Sequence, residues 1–256
     1  FFEIKEGEKE VISKLIPNHD LVFYEEKLNE KTIELAKDSD IVSVFVNSEL
    51  RKEGIDNISK LKFISTRSTG FDHIDITYAK SKGINVSNVP AYGSRTVAEF
   101  AFALLLDLSR KVREANNQLR NNFSYDISHL QGFDLCGKTL GVIGTGKIGK
   151  NVIKIAKGFD MKVIAFDAFP DMTFAKENGF EYMKLEEVLG QSDIVTLHTP
   201  YNKDTHHLIN MDTVKKFKKG SYLINTARGE IVETKALLWA LNEGIIAGAG
   251  LDVLEE

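Results

Sequence analysis

The 256-residue sequence predicts an α/β fold built as two parallel-sheet units. Three observations carry this. Short apolar runs alternate with helical patterns from the start; the alternation is interrupted once, near Pro90, by a long helical stretch; it then resumes to the end. Strands that alternate with helices form βαβ units, whose strands lie parallel. The length suits one large domain or two ordinary ones, and a hydrophobic fraction of 43% is ample for packed cores.

In the first unit, DLVFYEE (20–26), DIVSVFV (40–46), LKFIST (61–66) and INVSNV (84–89) are the expected strands. EKEVISKLI (8–16), EKTIELAKD (30–38) and DITYAKSKG (75–83) are the expected helices. Phe1 to Ile4 reads as the tail of an earlier strand whose opening residues are missing. It shows no basic segment before an apolar one, as a signal peptide would require. Ser94 to Arg120 reads as one long helical stretch, with Val97, Phe100, Ala101, Leu104, Leu105 and Leu108 at helical spacing. Its apolar run, Ala98 to Leu108, carries Glu99 and Asp107 and falls short of the ~20 residues a bilayer span needs. The second series comprises TLGVIG (139–144), MKVIAFD (161–167), DIVTLHT (193–199), SYLINTA (221–227) and IAGAGLDVL (246–254). The domains are therefore drawn as 1–92 and 93–256.

Charge and cysteine content narrow the partners. The net charge is −4, acidic and basic residues are interspersed, and the longest basic cluster is Lys215, Lys216, Lys218 and Lys219. Nucleic acid is a poor match for that surface, and no segment is suited to a membrane. The single cysteine, Cys136, excludes an internal disulfide and any multi-cysteine metal site. A reducing compartment, by default the cytoplasm, fits.

The second unit opens on TLGVIGTGKIG, with Gly144, Gly146 and Gly149 in G-x-G-x-x-G spacing. The three positions serve a tight turn, close approach of backbone to a pyrophosphate, and close packing of helix on strand. The helix from about Lys147 offers free N–H groups and its positive dipole end to phosphates. A second strand ends at Asp167, eighteen residues after Gly149, where an acid accepts ribose hydroxyls. The competing readings are a glycine turn that binds nothing and a site for another adenosine ligand such as S-adenosylmethionine. The full strand, turn, helix and acid context favours a nicotinamide dinucleotide. A carboxylate at 167 repels a 2′-phosphate and Ala168 and Phe169 supply no arginine, so NAD is favoured over NADP.

LINTARGE places Arg228 directly after a strand, with Gly229 free to let the chain turn sharply. Arginine grips a carboxylate in two-pronged fashion; a surface salt bridge is the plain alternative. The segments STRSTGFDHID, INVSNVPAYGSRTVAEFAFALLL, LCGKTLGVIGTGKIG, LHTPYNKDTHHLIN, INTARGEIVETKALLWAL and AGAGLDVLEE span nearly the whole chain. Together they resemble the D-isomer-specific 2-hydroxyacid dehydrogenases, and within them the D-lactate dehydrogenase-like branch.

The resemblance implies two Rossmann-like or flavodoxin-like domains, a substrate domain and an NAD-binding domain. It implies an NAD-dependent oxidoreductase acting on a small 2-hydroxy or 2-keto acid, D-lactate and pyruvate first. Arg228 matches the catalytic arginine. Backbone N–H groups of Ser68, Thr69 and Gly70 match a cradle for the substrate carboxylate, with Tyr92 facing the same cleft. Thr96, Gly144, Gly146, Lys147, Ile148, Gly149, Asp167, Thr199, Pro200, Thr205, Thr226, Ala227 and Asp252 match cofactor-binding positions, and no metal is implied. The family's glutamate falls five positions after the aspartate matching Asp252, one past Glu256, and its histidine follows later; the chain is therefore expected to be a fragment, poorly active as given. Glu255 and Glu256 are not in the family's register and are not assigned to that role. His19, His73, His129, His198, His206 and His207 read as loop or packing residues. Dimerisation through the cofactor domain and the helix from Thr96 onward is a further implication. The alternatives are a phosphoglycerate or glyoxylate/hydroxypyruvate reductase of the same family, for which Arg67 is the main candidate cation, and a non-catalytic NAD-binding interaction protein.

Overall fold

The structure, a computed structural model, describes residues 1–123 and 126–255. Two compact units are formed, Phe1–Tyr92 and Gly93–Glu256. In the first, three strands, β1 (Ile41–Val44), β2 (Phe63–Thr66) and β3 (Asn85–Ser87), pair in parallel in that order. Val42, Ile64 and Val86 stand abreast across the sheet. Helices α1 (Glu8–Leu15), α2 (Lys52–Asp56) and α3 (Ile76–Ser81) belong to the same unit. α3 starts where the Asp75 carboxylate accepts the Tyr78 N–H, a side-chain N-cap. Phe2, Val42, Val44, Leu50 and Ile64 fill the core, each fully buried side chain contributing about 1.5–3 kcal/mol.

Two of the strands expected here are not regular strands. Phe1–Ile4 and the 20–26 segment run alongside one another through scattered bonds: the Tyr24 N–H donates to the Phe1 carbonyl, the Ile4 N–H to that of Tyr24, and the Phe2 N–H to that of Ser43. The ladder breaks at Glu3, whose φ of 56° puts a non-glycine residue in the left-handed region. The 30–38 helix contracts to a 3₁₀ turn at Ile33–Ala36, and α2 was not anticipated.

The second unit begins with α4 (Ser94–Arg110) and α5 (Val112–Asn122). The single helix expected over 94–120 is thus two, split at Lys111, where φ is 54°. The buried face of α4 is Ala98, Ala101, Phe102, Leu105 and Ser109, whereas Phe100 points outward. Six strands follow: β4 (Thr139–Ile143), β5 (Lys162–Phe166), β6 (Glu181–Tyr182), β7 (Ile194–Leu197), β8 (Ser221–Asn225) and β9 (Ile246–Leu251). Interleaved are α6 (Lys147–Gly158), α7 (Met172–Asn178), α8 (Leu185–Gln191) and α9 (Thr234–Asn242). All strands are parallel, in the order β6-β5-β4-β7-β8-β9. β7 is buried on both faces, as a central parallel strand must be. The chain reverses direction across the sheet between β4 and β7. That switch point, at the carboxyl ends of the strands, is where open α/β sheets take ligands. No helix among the described residues is long and apolar enough to cross a membrane.

Candidate functional site at the carboxyl rim of the second sheet

The glycine loop joins β4 to α6. Gly144 has φ 92°, and a Cβ there would lie 2.7 Å from the His198 carbonyl carbon, so the turn and its packing on the loop after β7 both require glycine. At Gly149 a Cβ would lie 2.0 Å from the Gly144 carbonyl oxygen; α6 can approach the strand only without one. Gly146 is different. Nothing lies within 4 Å of where its Cβ would be, and as N-cap of α6 it gives no side-chain cap to the helix N–H groups. Lys147 and Ile148 form the first turn behind it.

Asp167 stands one residue past β5. Its Oδ2 accepts the Thr145 N–H at 2.6 Å and the Thr145 hydroxyl at 2.9 Å, and its Oδ1 accepts the Phe169 N–H at 2.8 Å. Past β7 lie His198, Thr199 and Pro200. The His198 Nε2 is 2.8 Å from the Thr196 hydroxyl, while Nδ1 and the Thr199 Oγ1 are buried without a partner. Although the residue as a whole is only half-buried, burial of the ring lowers the His198 pKa to about 3. The Thr205 hydroxyl donates to the Pro200 carbonyl at 2.7 Å and shapes the loop that follows.

Past β8, the Thr226 hydroxyl is likewise buried without a partner. The Asn225 side chain ties the next turn: its Oδ1 accepts the Ala227 N–H and its Nδ2 donates to the Arg228 carbonyl. The Arg228 Nη1 donates to the Ala227 carbonyl at 2.7 Å. Gly229 is required for a reason other than a sharp turn: a Cβ would lie 2.0 Å from the Leu254 carbonyl oxygen. Past β9, the Asp252 N–H donates to the Asn225 carbonyl.

The rim thus gathers Gly144, Gly146, Lys147, Ile148, Gly149, Asp167, Thr199, Pro200, Thr226, Ala227, Arg228 and Asp252 at the ends of adjacent strands. Thr96 is exposed in the first turn of α4 and makes no hydrogen bond to the rim among the described residues. The sequence alone does not single out Thr145, Tyr182 or Asn225. Thr145 was visible inside the motif itself; Tyr182 sits in a two-residue strand without a sequence signal. Glu255, left unassigned from sequence, receives the Thr234 N–H on Oε2 and is paired through Oε1 with His207 Nε2. Those bonds, the Thr234 N–H first, lower its pKa to about 2.

In the first unit, Ser68, Thr69 and Gly70 follow β2. The Ser68 hydroxyl donates to the Gly70 carbonyl at 2.6 Å, and the Ser68 and Thr69 carbonyls accept from the Val89 N–H and the Asn88 side chain. The N–H groups of Ser68, Thr69 and Gly70 donate no backbone hydrogen bond among the described residues. Tyr92 is 63% exposed at the unit's end. Arg67 is otherwise occupied. Its Nη2 donates to the Phe2 and Glu3 carbonyls and its Nη1 to the Ser43 hydroxyl, and burial lowers its pKa.

Residues 102–256 match the family model described as D-isomer specific 2-hydroxyacid dehydrogenase, NAD binding domain. The chain belongs to the D-isomer-specific 2-hydroxyacid dehydrogenases. It is similar to D-lactate dehydrogenase of Escherichia coli, 37% identical over 92% of this chain and 72% of that one. It is similar also to glyoxylate reductase of Korarchaeum cryptofilum, 39% identical over 88% of this chain and 68% of that one. Among solved structures, D-lactate dehydrogenase from Aquifex aeolicus complexed with NAD and lactic acid superposes with a TM-score of 0.93 at 39% identity, covering 100% of this chain and 77% of the other. The protein is accordingly an NAD-dependent oxidoreductase acting on the CH–OH group of 2-hydroxy acids. The second unit's rim fits that cofactor. Its two orphaned threonine hydroxyls and the open space at Gly146 are the features a bound dinucleotide would satisfy.

Proposed function

We propose that the substrate pair is D-lactate and pyruvate, or a close relative, and that the rim residues just described hold NAD. The observation that carries the reading is the arrangement of the second rim: an acid pinned beside the glycine loop, unpartnered hydroxyls along the wall, and Arg228 just past β8, two strands from the β4 that leads into the glycine loop. NAD, when bound, supplies the hydride exchange between its nicotinamide ring and C2 of the substrate. Gly146 lets backbone come close to the pyrophosphate, and the N–H groups of Lys147 and Ile148 face it at the helix start. Asp167 accepts the ribose hydroxyls. Thr199, Pro200 and Thr205 wall the adenosine side, and Thr226, Ala227 and Asp252 the nicotinamide side. Arg228, its guanidinium steadied by the Ala227 carbonyl, grips the carboxylate and polarises the C2 carbonyl with a fixed positive charge. In the first unit, the N–H groups of Ser68, Thr69 and Gly70 are donors suited to a carboxylate, and Tyr92 stands exposed.

The lactic acid bound to the Aquifex aeolicus relative supports a small substrate. A phosphate-bearing substrate loses its main candidate cation, because Arg67 spends its guanidinium on the unit's own carbonyls. The reading includes a homodimer formed through the second unit, supported by Phe100 standing 42% exposed on α4, and a cytoplasmic location, in keeping with the free thiol of Cys136.

The test is Arg228→Gln in the whole protein. Its kcat/KM for pyruvate should fall by roughly 10²–10³, with the NADH dissociation constant unchanged. An undiminished kcat/KM would remove Arg228 from the chemistry.

A further inference from the structure

Beneath the glycine loop runs a chain of hydrogen bonds that none of these roles uses. The Asp171 N–H lies 3.2 Å from the Tyr182 Oη, Tyr182 Oη lies 2.7 Å from Thr145 Oγ1, and Thr145 Oγ1 lies 2.9 Å from Asp167 Oδ2. The two ends fix the direction of every proton, because a backbone N–H only donates and a carboxylate only accepts. Tyr182 therefore donates to Thr145, and Thr145 to Asp167. The Tyr182 ring is itself held edge-on against Phe180 at 5.2 Å, and Phe180 is buried.

We propose that Tyr182 and Thr145 are positioning residues that pin the Asp167 carboxylate and so set the discrimination between a free and a 2′-phosphorylated ribose. The inference rests on the reading of Asp167 as the ribose acid. An aspartate at a strand end can ordinarily rotate away from an incoming phosphate at the small cost of changing rotamer. Here both oxygens are engaged, Oδ2 by two donors of Thr145 and Oδ1 by the Phe169 N–H, so rotation would break three hydrogen bonds at once. The negative charge stays where a 2′-phosphate would have to sit. Asp171, which starts the chain, also holds Lys150 of α6 in an ion pair, so that cation is engaged rather than free to welcome a phosphate. Three strand ends, those of β4, β5 and β6, are thereby tied to one carboxylate. This accounts for β6, which pairs with β5 through only two residues yet carries Tyr182.

The experiment compares NADH and NADPH dissociation constants by fluorescence titration of the whole protein, for wild type, Tyr182→Phe, Thr145→Val and Asp167→Ala. Thr145→Val keeps the backbone N–H bond and the side-chain shape, and so guards against a folding artefact in the tyrosine variant. The proposal expects the NADPH-to-NADH ratio of dissociation constants to fall about three- to tenfold in both Tyr182→Phe and Thr145→Val, the scale of one lost hydrogen bond, and further in Asp167→Ala. Retained NADH binding in Tyr182→Phe and Thr145→Val shows that both variants are folded, so that their ratio reports on the ribose site alone. An unchanged ratio in Tyr182→Phe and Thr145→Val, with a collapsed one in Asp167→Ala, overturns the relay while keeping Asp167 as the ribose acid. An unchanged ratio in Asp167→Ala overturns both.

Discussion

In the second sheet, the loops past β7 and β8 bury the hydroxyls of Thr199 and Thr226 without partners; in the first sheet, the loop past β1 is filled by the protein's own acid. The Glu3 carboxylate receives five donors there: the N–H groups of Phe45, Asn47 and Ser48, the Asn47 amide and the Ser48 hydroxyl. Burial pushes its pKa up, but the bonds from Ser48, Asn47 and Phe45 outweigh that and hold it below the usual carboxylate range. Arg67 completes the closure by clamping the Phe2 and Glu3 carbonyls. Both places are carboxyl ends of parallel strands, where ligands are expected. The difference teaches that position alone does not make a site. A rim whose polar groups satisfy one another is architecture, and one that leaves them unsatisfied is waiting for a ligand.

The two loops differ most at Glu3. Glu3→Ala strands several donors at once and should lower unfolding stability by about 3 kcal/mol, read by urea denaturation, while the NADH dissociation constant stays as in wild type. At Gly146 the balance reverses. The space beyond it is open, so Gly146→Ala should leave the denaturation midpoint nearly unchanged yet weaken NADH about tenfold, by holding the pyrophosphate away from the backbone.

A finer distinction comes from pH. His198 has a folded pKa of about 3 against an ordinary 6.5, so between those values the unfolded chain binds a proton that the folded one refuses. Stability must then fall as pH falls through that window, by up to about 1.4 kcal/mol per pH unit. His198→Asn should show a shallower slope in denaturation midpoints measured between pH 6.5 and 4. The smallest effect is at Glu255, whose pKa is depressed from 4.5 to about 2. Its contribution is present above pH 4.5 and disappears as pH falls toward 2, so Glu255→Gln should be slightly less stable than wild type at pH 7 and indistinguishable from it near pH 2.

Much of this was legible in the sequence, because the signals were local. The glycine spacing, the acid after the second strand and Arg228 after β8 each follow from one short segment, and the structure arranges them at neighbouring strand ends. What escaped was long-range or conformational. Nothing in FFEIKEGE reveals that Glu3 bridges to the loop of 45–48, some forty residues away, or that it does so at a positive φ that spoils the strand. The 94–120 helix reads as continuous because Lys111 carries no breaker signature, yet it takes a left-handed conformation. Gly229 reads as a turn former in sequence, while in the fold it admits Leu254, twenty-five residues on. Arg67 looked available for a phosphate, because its acceptors are backbone carbonyls that leave no trace in composition.

The central claim is that the second rim takes the dinucleotide and the first rim's Glu3 nest takes nothing. Amide hydrogen exchange of the whole protein, with and without saturating NADH, tests it directly. Slowed exchange is expected at 144–150, 167–169, 198–199 and 226–228, and no change at 45–48. Protection of 45–48 with none in the glycine loop would contradict it.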